Sequence, residues 1–314
     1  MIRVRVPGAC TSLQDLGRSG WQSRGIGAAG AMDAWAARVA NALLDNDVDA
    51  PLVEMGLSGA EFEVLESNWF ALSGADMDGR CNGVPLPPCR PLWIAQGSVL
   101  RFGAARSGCR SYLAVRGGFA AACVLGSAAT DLRARLGGVQ GRRLQRGDEL
   151  RYAAMPPAPP ARSVAPWATP FALPPAEPPR LALIPGPAWS ALSRADRERL
   201  TAEVFTVSRA ADRMGLRLEE ALASGAGLAP ILSQGVVFGA VQLPPDGRPI
   251  LLGAERQTTG GYPLIGVVAS IDHAALAQLK PGDELRFALT DVAAAQAAWR
   301  AREQRFARWR VAVH

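Results

Sequence analysis

Residues 155–179 begin Met155-Pro156-Pro157-Ala158-Pro159-Pro160 and end Pro174-Pro175-Ala176-Glu177-Pro178-Pro179. Proline has no backbone N–H and fixes φ, so such a stretch cannot supply a helix or sheet ladder and reads as an extended connector. It divides a chain of 314 residues, which is longer than one ordinary domain requires. The expected organisation is a β unit over residues 1–154, a proline-rich connector over 155–179, a second β unit over 180–290 and a C-terminal helix over 291–314.

The two units share their ends. The first opens Arg5-Val6-Pro7-Gly8 and closes Leu144-Gln145-Arg146-Gly147-Asp148-Glu149-Leu150-Arg151-Tyr152. The second opens Leu183-Ile184-Pro185-Gly186 and closes Leu279-Lys280-Pro281-Gly282-Asp283-Glu284-Leu285-Arg286-Phe287. Each therefore starts with a strand entering a Pro-Gly turn and finishes with a Gly-Asp turn entering a strand, a partial internal repeat. Between these ends, apolar runs at 62–65, 69–72, 99–102, 111–115, 236–243 and 250–252 read as short strands separated by glycine-bearing turns. The 33 glycines and 24 prolines argue against a helical bundle. The expected fold class is mainly β, with rolled or closed antiparallel sheets. Helices are expected at 31–44, 188–200, 272–278 (capped by Ser270 or Asp272) and along the alanine- and arginine-rich tail 291–310.

Composition narrows the chemistry. Hydrophobic residues make up 49% of the chain and charged residues 20%, enough to fill a core. Lys280 is the sole lysine and lies in a Lys-Pro-Gly-Asp turn, which sets aside a P-loop or Schiff-base lysine. The two histidines are His273 and His314, so a catalytic zinc centre with two imidazoles would have to use the chain end. The five cysteines are odd in number and form no Cys-x-x-Cys pair; they read as reduced, buried thiols. No run approaches the ~18 apolar residues of a membrane span, and the N-terminus lacks a signal-peptide pattern, so a cytoplasmic location is expected. The net charge is +6, but the arginines are interleaved with acids, and nucleic acid is not expected as a partner. The tail carrying Trp299, Arg300, Phe306 and Trp309 could grip RNA; an amphipathic helix docked on its own domain is the simpler account.

Several motifs offer chemistry. Gly25-Ile26-Gly27-Ala28-Ala29-Gly30 matches a dinucleotide fingerprint and precedes a helix, yet the strand that should feed it is missing; a loop offering amides to an anion is the remaining use. Gln257-Thr258-Thr259-Gly260-Gly261-Tyr262-Pro263 follows an apolar strand and gathers an amide, two hydroxyls and a phenol. Those neutral groups suit a small polar ligand, whereas the bland reading is a hairpin whose Gly-Gly supplies positive φ. In Asp212-Arg213-Met214-Gly215 one charge can face inward as a carboxylate clamp while the other ties down the turn, or the two form a structural ion pair. Asp76 and Asp78, after the strand Phe70-Ala71-Leu72, are the available carboxylates for acid–base work, although an Asp in a glycine-rich turn commonly serves the backbone. No Gly-x-Ser-x-Gly elbow occurs.

These blocks occur in order with Thr11-Ser12-Leu13-Gln14-Asp15-Leu16-Gly17-Arg18, Gly30-Ala31-Met32-Asp33, Ala40-Asn41, Leu72-Ser73-Gly74-Ala75-Asp76, Tyr112-Leu113-Ala114-Val115-Arg116-Gly117-Gly118 and Leu125-Gly126-Ser127. Together they resemble the biotin-dependent carboxyltransferase family, which takes in allophanate hydrolase subunit 2 types, the C-type component of 5-oxoprolinase and the B half of the urea carboxylase transferase domain. The resemblance implies two cyclophilin-like β-barrel units. It also implies an A-type companion subunit, of the allophanate hydrolase subunit 1 type or the B-type component of 5-oxoprolinase, and in one branch a lactam-opening subunit. By that resemblance the chain has no intrinsic cofactor: ATP and Mg belong to the assembled complex, and no biotin-accepting Met-Lys is present. A regulatory protein that antagonises its companion is the other implied role. The family's usual Met-Ala-Asp before Gln-Thr-Thr is replaced here by Gly253-Ala254-Glu255.

The expected site follows from combining both readings. Gln257 and Asp76 are the candidate catalytic residues. Arg18, Asp33, Arg213, Thr258, Thr259, Gly260 and Tyr262 are the candidate substrate-binding residues, lining a shared cleft in which Arg213 or Arg18 meets a carboxylate. No metal ligand set is expected.

Overall fold

The structure, a computed structural model, describes residues 1–154, 158, 160, 163–171 and 178–313. About half of the proline-rich stretch, including Pro156-Pro157 and Pro174-Pro175, therefore lies outside the described residues, as does His314. The chain folds as two units. One comprises Met1–Ser19, Ala29–Pro175 and Ala307–His314, and the other Gly20–Ala28 and Ala176–Phe306. Strands dominate both, and among the described residues no helix is long and apolar enough to cross a membrane.

In the first unit, a six-stranded sheet runs in the order Glu149–Leu150, Ile2–Val6, Glu61–Val64, Val99–Arg101, Arg80–Cys81, Val84–Pro85. A five-stranded sheet runs Cys10–Gln14, Leu52–Gly56, Ser107–Val115, Asn68–Asp76, Leu92–Ile94. Alternation decides which side chains meet: Ile2, Val4, Phe62 and Val64 join Leu13, Val53, Phe70, Leu113 and Val115 in one core. The helix Ala34–Leu43 packs on the second sheet, where Ser73 Oγ donates to Ala36 O over 2.6 Å. It begins later than its apolar period suggests because the preceding N–H groups are already used. Ala31 N donates to Asp15 O, Met32 N to Glu54 Oε2 and Asp33 N to Tyr112 Oη.

In the second unit, a seven-stranded sheet runs Phe205–Thr206, Glu284–Leu289, Arg180–Pro185, Leu264–Val268, Ala240–Gln242, Ile250–Leu252, Gly215–Arg217. Its core joins Leu181, Phe205, Leu216, Leu251, Ile265 and Phe287, with Phe205 and Phe287 edge to face at 5.6 Å. A separate ribbon pairs Gln234–Gly235 with Thr259–Gly260. The expected strand 236–243 shortens to Ala240–Gln242 because Gly239 turns at φ +79° and sends its N–H to Leu252 O. The segment expected as a helix over 188–200 divides into the 3-10 turn Trp189–Ala191 and the helix Arg194–Ala202, whose cap is Ser193. Asp272 does not cap the short helix His273–Ala277; its Oδ2 accepts from Ala182 N.

The repeated ends are alike in their turns and unlike in their pairing. In both Gly-Asp turns the Asp N–H donates to the residue three earlier, Gln145 O or Lys280 O, and the Asp carboxylate accepts that residue's N–H. The opening and closing strands pair antiparallel in the first unit, Ile2 opposite Leu150, but parallel in the second, Arg180 opposite Arg286. The cysteines depart from the expectation of buried thiols: Cys109 alone is buried, Cys10, Cys81 and Cys89 are half-buried, and Cys123 is exposed, next to the turn closed by Val124 and Ser127.

Candidate functional site

The stretch Gln257-Thr258-Thr259-Gly260-Gly261 is held in the second unit by its backbone. Val236 N donates to Thr258 O over 3.2 Å, Gly235 lies opposite Thr259, and Ile231 N donates to Gly261 O over 2.9 Å. The glycine pair does not supply positive φ; neither residue adopts it. Its role is close approach. A Cβ on Gly260 would lie 2.4 Å from Gln242 Nε2, and one on Gly261 would lie 3.2 Å from Ile231 O. With the main chain pinned in this way, the side chains of Gln257, Thr258, Thr259 and Tyr262 make no hydrogen bond to any described residue. Thr259 and Tyr262 are exposed and Gln257 and Thr258 half-buried. An amide and two hydroxyls left without partners on a fixed backbone can receive a neutral polar ligand in a defined pose.

Other groups crowd the base of this stretch. Gln242 is buried and its Nε2 has no acceptor. Arg256 spans two carbonyls, donating from Nε to Val236 O (3.4 Å) and from Nη1 to Gly253 O (3.2 Å). Gln22, from the segment Gly20–Ala28, also reaches Val236 O at 3.5 Å. Sequence reasoning passed over all three. Gln242 reads as a core-facing strand residue, and Arg256 carries no motif of its own; the only available signal was a charged residue directly before an uncharged polar block.

Asp212 and Arg213 divide the work between them. Asp212 Oδ1 ties the turn by accepting from Met214 N and Gly215 N, while Arg213 turns inward. Its partner is Glu255, not Asp212: Arg213 Nε lies 2.7 Å from Glu255 Oε1. His273, in the same unit, bonds Val268 O through Nε2 and stacks on Phe238, and burial pushes its pKa down to about 4. Lys280 is occupied by Asp283 at 2.9 Å, so it offers no free ammonium to a phosphate.

Arg18, Asp33 and Asp76 belong to the first unit, whereas Arg213 and residues 257–262 belong to the second. Arg18 is almost fully buried. It donates to Val124 O through Nε and to Ala129 O through Nη2, its Nη1 has no partner, and no described carboxylate pairs with it. Asp33 caps the helix Ala34–Leu43 by accepting from Ala36 N at 2.9 Å, so the amides that an anion would use after the Gly25–Gly30 loop already hold a carboxylate. No strand feeds that loop, which is preceded by the 3-10 turn Gln22–Arg24 and is not a dinucleotide fold. Asp76 Oδ1 accepts from Asp78 N at the end of its strand. Asp78 is clamped by Arg80 and Arg106, and the Arg80 hydrogen bond, with help from both charges, holds its carboxyl below the usual range.

The model of the carboxyltransferase domain, subdomain A and B, matches residues 24–289. The C-type component of 5-oxoprolinase from Escherichia coli (strain K12) is 34% identical over 290 residues, covering 91% of this chain and 90% of that protein. Urea amidolyase of Saccharomyces cerevisiae is 30% identical over 304 residues, 91% of this chain but 16% of that protein. The crystal structure of the K. lactis urea amidolyase superposes with a TM-score of 0.84 at 26% identity, over 94% of this chain and 19% of that one.

Proposed function

The chain belongs to the family of the carboxyltransferase domain, subdomains A and B, and on that premise we propose that it serves as the C-type component of an ATP-dependent 5-oxoprolinase. In this reading it binds a small lactam alongside an A-type companion and a lactam-opening subunit. The observation that carries it is the loop 257–262: an amide, two hydroxyls and a phenol without partners among the described residues, on a backbone fixed by the Val236 and Ile231 hydrogen bonds. A lactam presents one carbonyl and one N–H, and Gln257 with Thr258 or Thr259 supplies the complementary donor and acceptor. Alignment with a 5-oxoprolinase component over 90% of its length supports the same reading, against 16% of a urea amidolyase.

Proton transfer and phosphoryl chemistry are assigned to the partners. Gln257, Thr258 and Thr259 carry no titratable group, His273 is held neutral by burial, and Lys280 is bound to Asp283. ATP with its Mg is accordingly assigned to the assembled complex, and Asp76 is kept as the reserve acid of this chain. Arg18 is the candidate anion contact of the first unit, its Nη1 donor being unsatisfied.

The test is reconstitution. The chain should co-purify with the A-type companion and, with the third subunit and ATP, convert 5-oxoproline to glutamate. Gln257→Ala should leave folding and assembly intact and reduce turnover by about 100-fold, the scale of losing a transition-state hydrogen bond. Full turnover by that variant would remove Gln257 from the reaction. Biotin-dependent carboxyl transfer without lactam opening would favour the urea carboxylase branch.

A further inference from the structure

Arg256 immediately precedes the uncommitted block, and its environment differs from that of the neighbouring Arg213. Arg213 is neutralised by Glu255 at 2.7 Å. Arg256 is half-buried against Val236 O and Gly253 O, and no described carboxylate lies within ion-pair distance of it. Burial lowers its pKa from the ordinary guanidinium value, yet arginine stays protonated at any working pH. Two carbonyl dipoles do not cancel a full charge removed from water, so the site favours an anion.

A second donor without an acceptor lies beside the same residues. Gln242 is 1% exposed and its Nε2 is unpartnered. It sits against Gly260, and the same Gly260 position faces Val236 Cγ1, at 3.3 Å from an added Cβ. Val236 thus links the groups: its carbonyl takes Arg256 Nε, its N–H holds Thr258 O, and its side chain borders Gly260. A charge without a counterion, a buried amide donor and the free groups of Gln257, Thr258 and Thr259 therefore belong to one short stretch of backbone.

We propose that Arg256, assisted by Gln242, reads the carboxylate of a small lactam acid bound at the 257–262 loop. The inference rests on the lactam-binding reading above and moves the anion contact within this unit from Arg213 to Arg256. The guanidinium fork donates its remaining N–H groups to a carboxylate, which places the lactam ring beside Gln257. Arg256 thereby sets specificity for acidic over neutral lactams.

The experiment compares 5-oxoproline with 2-pyrrolidone, the same ring lacking the carboxylate, in the reconstituted complex. The wild type should show a KM for the acid at least about tenfold lower, the scale of a charge-assisted contact. Arg256→Gln should erase that preference by raising the KM for 5-oxoproline while leaving 2-pyrrolidone and kcat little changed. Arg256→Lys should restore part of it, and Gln242→Leu should weaken it by a smaller factor. A merely structural arginine would depress both lactams equally. An undiminished preference in Arg256→Gln overturns the inference and leaves the lactam reading standing. If the wild-type complex opens neither lactam, that reading fails, and equilibrium binding of the two compounds to the full chain decides the subsite. Arg256-dependent binding of the acid supports it, and no binding of the acid overturns it.

Discussion

Arg213 Nε lies 2.7 Å from Glu255 Oε1, and the same two residues are joined through the backbone, where Glu255 N donates to Arg213 O over 2.9 Å. The side chains are 13% and 6% exposed, so this pair is largely withdrawn from water. The doubled link anchors the chain just before the polar loop and gives Glu255 a structural employment. Arg213 sits in a buried ion pair, made with a residue 42 positions away that adjacency in sequence does not reveal.

Removing Glu255 takes from Arg213 the buried carboxylate that faces it at 2.7 Å. Glu255→Ala should destabilise the chain by about 3–5 kcal/mol, the range for breaking a buried pair by removing one partner. Glu255→Asp, one methylene shorter, should cost less, and the double change Arg213→Met, Glu255→Leu should regain most of the loss. Urea denaturation measures all three; an Ala variant as stable as wild type would mean that the pair is solvated.

His273 predicts an acid-sensitive second unit. Its folded pKa is about 4, below the ordinary 6.5, because burial beside Phe238 disfavours the charged ring. The neutral form is favoured on folding, so this contribution is fully present above pH 6.5 and is lost as the pH falls from 6.5 toward 4. It amounts to about 3 kcal/mol. His273→Gln, which keeps a donor for Val268 O, should flatten the stability difference between about pH 7.5 and about pH 3.5, values that bracket the window. An unchanged slope in that variant would assign the acid sensitivity to other groups.

The cysteines should react in a fixed order. Cys123 is exposed, whereas burial pushes the Cys89 thiol up to about 11 and Cys109 is buried. Iodoacetamide at about pH 8 should alkylate Cys123 first and Cys89 and Cys109 only after unfolding, since the thiolate is the nucleophile. Mass spectrometry of a time course resolves the order.

What was legible in the sequence was local. An apolar run located Ile250–Leu252, and the paired Gly-Asp turns signalled related ends, because a turn's hydrogen bonds are fixed by its own residues. Strand direction was not legible: the same turn feeds an antiparallel pairing at Leu150 and a parallel one at Arg286, a choice made by distant strands. In the candidate site, the uncommitted amide and hydroxyls of Gln257, Thr258 and Thr259 could be named from residue type. The roles of Asp33, Arg213 and Gln242 depend on partners that residue type alone does not disclose. Asp33 is a helix cap, and Gln242 is a buried amide whose neighbour is a glycine in another strand.

That last contact makes a prediction separable from activity alone. Gly260→Ala should displace either Gln242 or the ribbon Gln234–Gly235/Thr259–Gly260, because a Cβ there lies 2.4 Å from Gln242 Nε2 and 3.3 Å from Val236 Cγ1. Since Gly260 does not have positive φ, the cost is one of space and not of backbone strain, roughly 1–3 kcal/mol for overpacking. Shortening the opposing side chain should then relieve it: Gln242→Ala combined with Gly260→Ala should be more stable than the sum of the single effects by at least about 1 kcal/mol. A double-mutant cycle in urea gives the coupling directly. Additive effects would show that the two residues do not compete for this space, and close packing would no longer account for a glycine at position 260.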